Sequence, residues 1–405
     1  MQVAAPRATT VIHTLRIPLE PQCLSRNINL SIHRYNQVYA EFSLPSAMTP
    51  AAHSDTNAPS ATSSASQLAA LLNGAGISPL DNTGWIRATG EDRVRWLNGM
   101  VTNSVQDLKS GNGCYNFVLS VQGRIQGDAY IFAEPDALLI ETASTQVPGL
   151  MALLDRFIIM DDVELADVSS ARSGLEISGP QAASLLKGIG FPLEHLEQLA
   201  ELEIRTISWS AASVSVIRAY SPLVPHFEIW TDATTAADLS TSLLSAGANL
   251  CEQQSREWLR LLEGTPLYGR DIRDRELPQE TAQTRALHFA KGCYLGQEIV
   301  ERIRSRGNVH RTFSAFRLEG ELPDAGSTLD ADGKQVGELT SVAAIPLSGD
   351  PGKTVQLALG YIRREALDRA LPLLYAGGVA VPVSLPYSIV ESTSLQASSE
   401  PSERV

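Results

Sequence analysis

Residues 290–307 read AKGCYLGQEIVERIRSRG. One of only four cysteines, Cys293, stands there between Lys291-Gly292 and an aromatic. Ile299 and Ile303 lie one helical turn apart while Gln297, Glu298, Glu301 and Arg302 are polar, which predicts a helix from about Gly296. Cys293 then precedes a helix N-terminus, where the macrodipole stabilises a thiolate, and Lys291 adds positive charge. Gly292 and Gly296 leave the backbone bare enough for another molecule to approach. Against that stands a plainer reading, since lone cysteines are usually small buried hydrophobes. The residues by themselves leave both open. The run Arg302, Arg304, Arg306, His310 and Arg311 divides the same way. It is either a solvated helix face paired with Glu298 and Glu301, or a site for a carboxylate- or phosphate-bearing ligand or partner.

Working outward, residues 67–310 carry mixed helix and strand signals. QLAALLNGAG is a short helix ended by glycine, and GWIRATG alternates like a strand. In TGEDRVRWLNGMVTN, Thr89 and Asp92 form a capping-box pattern ahead of Val94, Leu97 and Val101 on one face. CYNFVLSVQGRIQGDAYIFAE and ALLIETA read as strands, turned at Gln122-Gly123. VPGLMALLDRFIIM, GPQAASLLKGIG, TAADLSTSLLSAG and CEQQSREWLRLLEG read as helices, with strands between them. The order is α+β, with hairpins rather than strict βαβ alternation. After Arg311 the pattern is almost pure β, with Asp332-Gly333 as a hairpin turn. An antiparallel barrel or sandwich fits residues 311–391, and residues 392–405 are a polar tail.

Within the α+β region Asp128 sits mid-strand, where aspartate is disfavoured unless it faces solvent or meets a polar contact. A partly buried carboxylate there could hold a ring nitrogen or an amine of a ligand. Arg256, Arg260 and Glu263 fall on neighbouring helical turns, a spacing that suits an internal ion-pair network as well as a ligand clamp.

The totals bound the answer. At 405 residues the chain is too long for one ordinary core and predicts two or three domains. No run of eighteen apolar residues occurs, so no membrane helix is expected. A formal net charge of -13 opposes general nucleic-acid binding. Cys23, Cys114, Cys251 and Cys293 show no metal-ligand spacing, so no metal site is expected, and they read as reduced thiols in a cytoplasm-like compartment. Residues 1–66 differ from the rest. Arg7, Arg16, Arg26 and Arg34 face a single acid, Glu20, in the first forty, and a small-residue polar stretch expected to be disordered follows. Residues 1–47 are read as a non-native or over-long start ahead of Met48, with a mitochondrial transit peptide, and hence the mitochondrial matrix, as the alternative.

Taken in order, these stretches resemble the YgfZ family of folate-binding relatives of the glycine-cleavage aminomethyltransferase, the T-protein. Lys291 to Glu298 match its K-G-C-Y-x-G-Q-E signature, and ATGED with WLNGMVTN, LEISGPQA, LRLLEGTPLYGRDI, GELTS and LALGYI extend the likeness over roughly residues 80–390. The resemblance implies a T-protein-like multidomain fold around a central folate-sized opening, with a C-terminal β-barrel. It implies a tetrahydrofolate-binding accessory protein in iron–sulfur cluster assembly or repair, with iron–sulfur assembly proteins or client enzymes as partners. By motif it implies a functional thiol at Cys293 supported by Lys291, and folate contacts from Asp128, Tyr115, Arg256 and Arg260. One departure opposes aminomethyl transfer. The T-protein's glycine-rich RTGYTGEDGFEI is replaced by RAYSPLVPHFEI, from Arg218 to Ile229, and Val224 stands where a folate-contacting glutamate is expected. A folate-dependent one-carbon transferase remains the alternative, and a protein-interaction scaffold with a vestigial pocket is a third reading.

Overall fold

The computed structural model describes residues 63–192, 196–307, 309–347 and 350–388. Residues 1–62 and the tail from 389 onward lie outside the described residues, and with them Cys23 and the expectations of disorder and of a transit peptide. Helix α1 (Ser64–Asn73) starts three residues ahead of the Gln67 boundary expected from the sequence. The Ser63 hydroxyl accepts from Ser66 N, a serine N-cap that polar composition had disguised as part of the extension.

The chain then weaves between two sheets. Strand β1 (Gly76–Pro79) enters one sheet and β2 (Thr83–Thr89) the other. Helix α2 (Arg93–Asn98), β3 (Gly113–Leu119), β4 (Ile125–Ala133), β5 (Leu138–Ala143), α3 (Val147–Asp155) and β6 (Glu164–Asp167) follow. With β2, these strands form an antiparallel five-stranded sheet in the order β3-β4-β5-β2-β6. The chain returns through β7 (Ser173–Ser178), α4 (Ala182–Gly188), β8 (Ile204–Trp209), β9 (Ala212–Arg218), β10 (His226–Thr231), α5 (Ala233–Ser245) and β11 (Asn249–Leu250). These complete a six-stranded sheet, β11-β1-β7-β10-β9-β8, in which only β1 and β11 run parallel. Helices α6 (Gln253–Glu263) and α7 (Gln297–Arg306) lead to the last part. There β12 (Arg311–Gly320), β13 (Thr328–Ala331), β14 (Lys334–Leu347), β15 (Asp350–Arg363), α8 (Arg364–Asp368), β16 (Leu373–Tyr375) and β17 (Gly378–Val383) make a closed barrel with a short helix. Asp332 and Gly333 both take positive φ, +50° and +71°, as the expected hairpin turn between β13 and β14 requires.

Each layer buries its own apolar face. Ile86, Leu97, Ile131, Ile140 and Leu150 pack between the first sheet and its helices, and Ile177, Val216, Phe227, Leu239 and Leu243 do the same for the second. Trp85, Phe132, Leu139, Ile217 and Trp230 join the two sheets. Leu68, Leu71, Leu261 and Leu262 of α1 and α6 meet Phe313, Ile345 and Leu359 of the barrel. The capping box expected at Thr89 and Asp92 does not form. Thr89 still belongs to β2, and Asp92 instead accepts from Asp162 N and pairs with Arg95.

Candidate functional site

The alternation of β4 creates the site. Ala129 and Ile131 face the core of the first sheet, while Asp128 and Tyr130 face the other way, into a cavity of about 430 Å³. In register, Phe117 lies opposite Asp128 and Tyr115 opposite Tyr130, so Tyr115 reaches Asp128 diagonally across β3 and β4. The Tyr115 hydroxyl donates to Asp128 Oδ2 at 2.6 Å, and Gln146 Nε2 donates to Oδ1 at 2.8 Å. Asp128 N donates back to Gln146 Oε1 at 3.1 Å. Burial raises the Asp128 carboxyl above the usual range, and these hydrogen bonds pull against that rise. The mid-strand aspartate is therefore held by polar contacts.

The opposite wall comes from the second sheet and from α6. Glu176 on β7 lies in register with Glu228 on β10, and His226 with Ser178, so four polar side chains converge. On α6 the residues Gln253, Arg256, Glu257, Arg260 and Glu263 repeat at helical spacing toward the cavity, while Leu261 and Leu262 pack on the barrel side. Arg256 Nε meets Glu176 Oε1 at 2.5 Å. Burial opposes the charge on Glu176, but His226 and Arg256 outweigh it and hold that carboxyl below its usual range. Burial likewise opposes the His226 cation, and Glu176, Glu228 and Glu263 reverse the balance, so the imidazole is raised. Its Nε2 sits 3.5 Å from Glu176 Oε2 and makes no well-aligned hydrogen bond. Burial, with the neighbouring carboxylate of Glu228, raises Glu141 well above the ordinary value. Apart from Arg256, Arg260 and Glu263 on α6, this carboxyl-rich wall was not anticipated, because its members come from β5, β7 and β10 as well.

Tyr115, Asp128, Arg256 and Arg260 thus line one cavity, but Arg260 is not free to serve a ligand. Its Nε and Nη2 hold Glu257 at 2.9 and 2.7 Å, Nη1 holds Thr265 O and Asp271 at 2.6 and 2.7 Å, and Nη2 also reaches Ser341 Oγ at 2.8 Å. All five guanidinium hydrogens are used within the protein. The internal network expected as one option is what forms.

Cys293 and Lys291 lie apart from the cavity lining. Helix α7 takes Gly296 as its N-cap, at φ +80°, so Cys293 stands three residues ahead of the cap. Lys291 is engaged by backbone carbonyls. Its Nζ donates to Val101 O at 2.7 Å and Asn103 O at 2.6 Å, and lies 5.1 Å from the Tyr294 ring centre. Burial lowers this amine to about 8. Cys293 is exposed, whereas burial raises Cys114 and Cys251 to about 11. Arg311 is also taken up internally, by Glu276 and Glu280, and Arg304 lies over the Phe289 ring beside Glu301. The Arg306 side chain lies outside the described residues. Val224 is 6% exposed and packs with Leu68, Leu71 and Leu259, so the position that lacks the glutamate is apolar.

Besides that wall, Tyr130 and Arg285 also escaped the sequence reading. Tyr130 shares the face of Asp128, a signal the alternation of β4 carries. Arg285, in a 3-10 turn at Thr284–Ala286, has no such signal.

Comparison with known proteins places these features. Residues 35–291 match the GCVT N-terminal domain, and residues 311–389 match the CAF17 C-terminal beta-barrel domain. A chloroplastic protein of Arabidopsis thaliana with a provisional transferase name is 24% identical over 74% of this chain and 68% of its own length. An aminomethyltransferase of Nostoc sp. is 26% identical, covering 75% of this chain and 81% of the relative. Among solved structures, the glycine cleavage system aminomethyltransferase T from Bartonella henselae superposes with a TM-score of 0.70 at 20% identity. That match covers 80% of this chain and 90% of the other, and shows a shared fold.

Proposed function

The chain belongs to the CAF17/YgfZ-like family of aminomethyltransferase-fold proteins, and from that premise we propose that it is a tetrahydrofolate-binding accessory protein of iron–sulfur cluster assembly or repair. The observation that carries the folate half is Asp128, a half-buried carboxyl oriented by Tyr115 and Gln146 in a cavity of about 430 Å³. Each carboxyl oxygen has a lone pair to spare for a ring N–H or an amine. Tyr130, partly exposed on the cavity wall, offers aromatic surface to a flat ring. Asp128, Tyr115 and Arg256 would hold the folate, with Arg260 bracing the wall. Bound there, tetrahydrofolate would carry a one-carbon unit. Aminomethyl transfer is the weaker reading, because Val224 is packed in an apolar cluster where a T-protein glutamate is expected.

The iron–sulfur half rests on the KGCYLGQE signature and on Cys293, the exposed thiol among the described cysteines. In this reading the thiol meets an iron–sulfur assembly protein or client enzyme in a reducing, cytoplasm-like compartment.

Anaerobic calorimetry of the full chain with tetrahydrofolate tests the first half. Saturable binding that weakens about tenfold or more in Asp128→Asn is expected, the scale of a lost hydrogen bond to a charged group. No binding at millimolar ligand would overturn it and leave the scaffold reading. Cys293→Ala tests the second half. It should bind folate as the wild type does yet fail to restore iron–sulfur enzyme activities in cells lacking the native gene. Full restoration would remove the thiol from the proposal.

A further inference from the structure

Arg285 is a partly buried cation with an unfilled hydrogen-bonding position. Its guanidinium lies 3.7 Å from the Tyr220 ring centre and 4.1 Å from that of Tyr115, with Tyr130 at 5.6 Å. Stacking on rings satisfies the faces of the guanidinium, and its edges still need acceptors. Nε donates to Gln283 Oε1 and Nη2 to Tyr130 OH, both at 3.2 Å. Nη1 is buried and has no partner, and no carboxylate forms an ion pair with Arg285 among the described residues. Arg256 has one such partner, and Arg260 and Arg311 have two each. An unfilled donor of this kind costs stability unless something fills it.

The residue is also held firmly in place. Asn103 Nδ2 donates to Arg285 O at 2.9 Å and Thr102 Oγ1 to Ala286 O at 2.7 Å, and Lys291 Nζ grips the carbonyls on either side of Thr102. The lysine of the KGC motif therefore braces the segment that positions Arg285. Arg285 lines the same cavity as Asp128, with Nη1 buried just behind the surface, so a cation and a carboxyl border one space.

We propose that Arg285 is the specificity-determining anchor of the cavity: a turn of its guanidinium brings the unpartnered Nη1 to an oxygen bearing full or partial negative charge on a planar, conjugated ligand whose N–H groups meet Asp128. This rests on the folate reading above. In a folate, that oxygen has two sources, the carbonyl of the pterin ring or a carboxylate of the glutamyl tail.

The test is calorimetry of wild type, Arg285→Gln and Arg285→Lys with three probes: tetrahydrofolate, tetrahydrobiopterin, which lacks the glutamyl tail, and p-aminobenzoylglutamate, which lacks the pterin. Arg285→Gln should lose about 10- to 100-fold in tetrahydrofolate affinity, the worth of a charge-assisted hydrogen bond. Arg285→Lys should lose a comparable amount, because an ammonium has no planar fork. Near-UV dichroism from the tyrosines, unchanged in the ligand-free variants, confirms that they are folded. The half-molecule whose binding falls with Arg285→Gln identifies the oxygen. If both variants bind tetrahydrofolate within twofold of wild type while Asp128→Asn does not, the anchor is wrong and the folate site stands. If none of the probes binds wild type, both fail together.

Discussion

At the scale of single residues, the charges that matter here are set by neighbours distant in sequence. Glu141 lies on β5, opposite Tyr130 in register, and comes against Glu228 of the other sheet. A carboxyl held above its usual value keeps a proton that the unfolded chain releases near pH 4.3. Between that pH and the folded value the native state binds more protons than the unfolded state, so this group lowers stability as pH rises. Glu141→Gln removes the penalty while keeping an N–H to offer Glu228. Relative to wild type, the variant should melt at about the same temperature near pH 4 and on the order of 2 °C or more higher at pH 7.5. A melting difference that does not change with pH would show that Glu141 is ionised in the folded protein. Asp128 was legible in the sequence because a mid-strand aspartate needs a reason. Arg285 was not, since its three tyrosines come from positions 115, 130 and 220, and a 3-10 turn has no periodicity to read.

At the scale of elements, long periodic segments form as expected and short ones are decided by their surroundings. Helix α6 ends at Gly264 with φ +71°, and β3 and β4 turn at Gly123, also at φ +71°, both glycine signals visible in the sequence. Strands β1, β11, β13 and β16 have two to four residues and no alternation long enough to detect, so the sheets they join supply the reason they are strands. Helix α7 was expected from Ile299 and Ile303, and it forms. What its sequence could not say is why Gly296 precedes it. An added Cβ there would come within 2.6 Å of Ser120 O, so this glycine lets the motif pack against the turn between β3 and β4. The same packing turns Lys291 inward onto Val101 and Asn103 and leaves Cys293 outside.

At the scale of the whole molecule, buried ionic groups help tie the two-sheet region to the barrel, and Asp271 is the most fully engaged. Asp271, fully buried, accepts from Arg260 of α6, from Leu267 N, and from Thr340 and Ser341 of β14. Arg260→Met strands that carboxylate, and breaking a buried pair from one side costs about 3–5 kcal/mol. Urea denaturation should show a loss of that size, and adding Asp271→Asn should recover part of it, because the two changes share one interaction. A loss below about 1 kcal/mol would mean that the pair is solvated and that the other ion pairs and apolar contacts hold the junction. The sequence by itself determined the fold class, the barrel, the central signature and the carboxylate at Asp128, since alternation, turn glycines and contiguous motifs are local properties of a chain. Only the tertiary structure decided which arginines are free. Whether a guanidinium is consumed, as in Arg260, or left with an open edge, as in Arg285, depends on partners from distant strands that burial brings within hydrogen-bond distance.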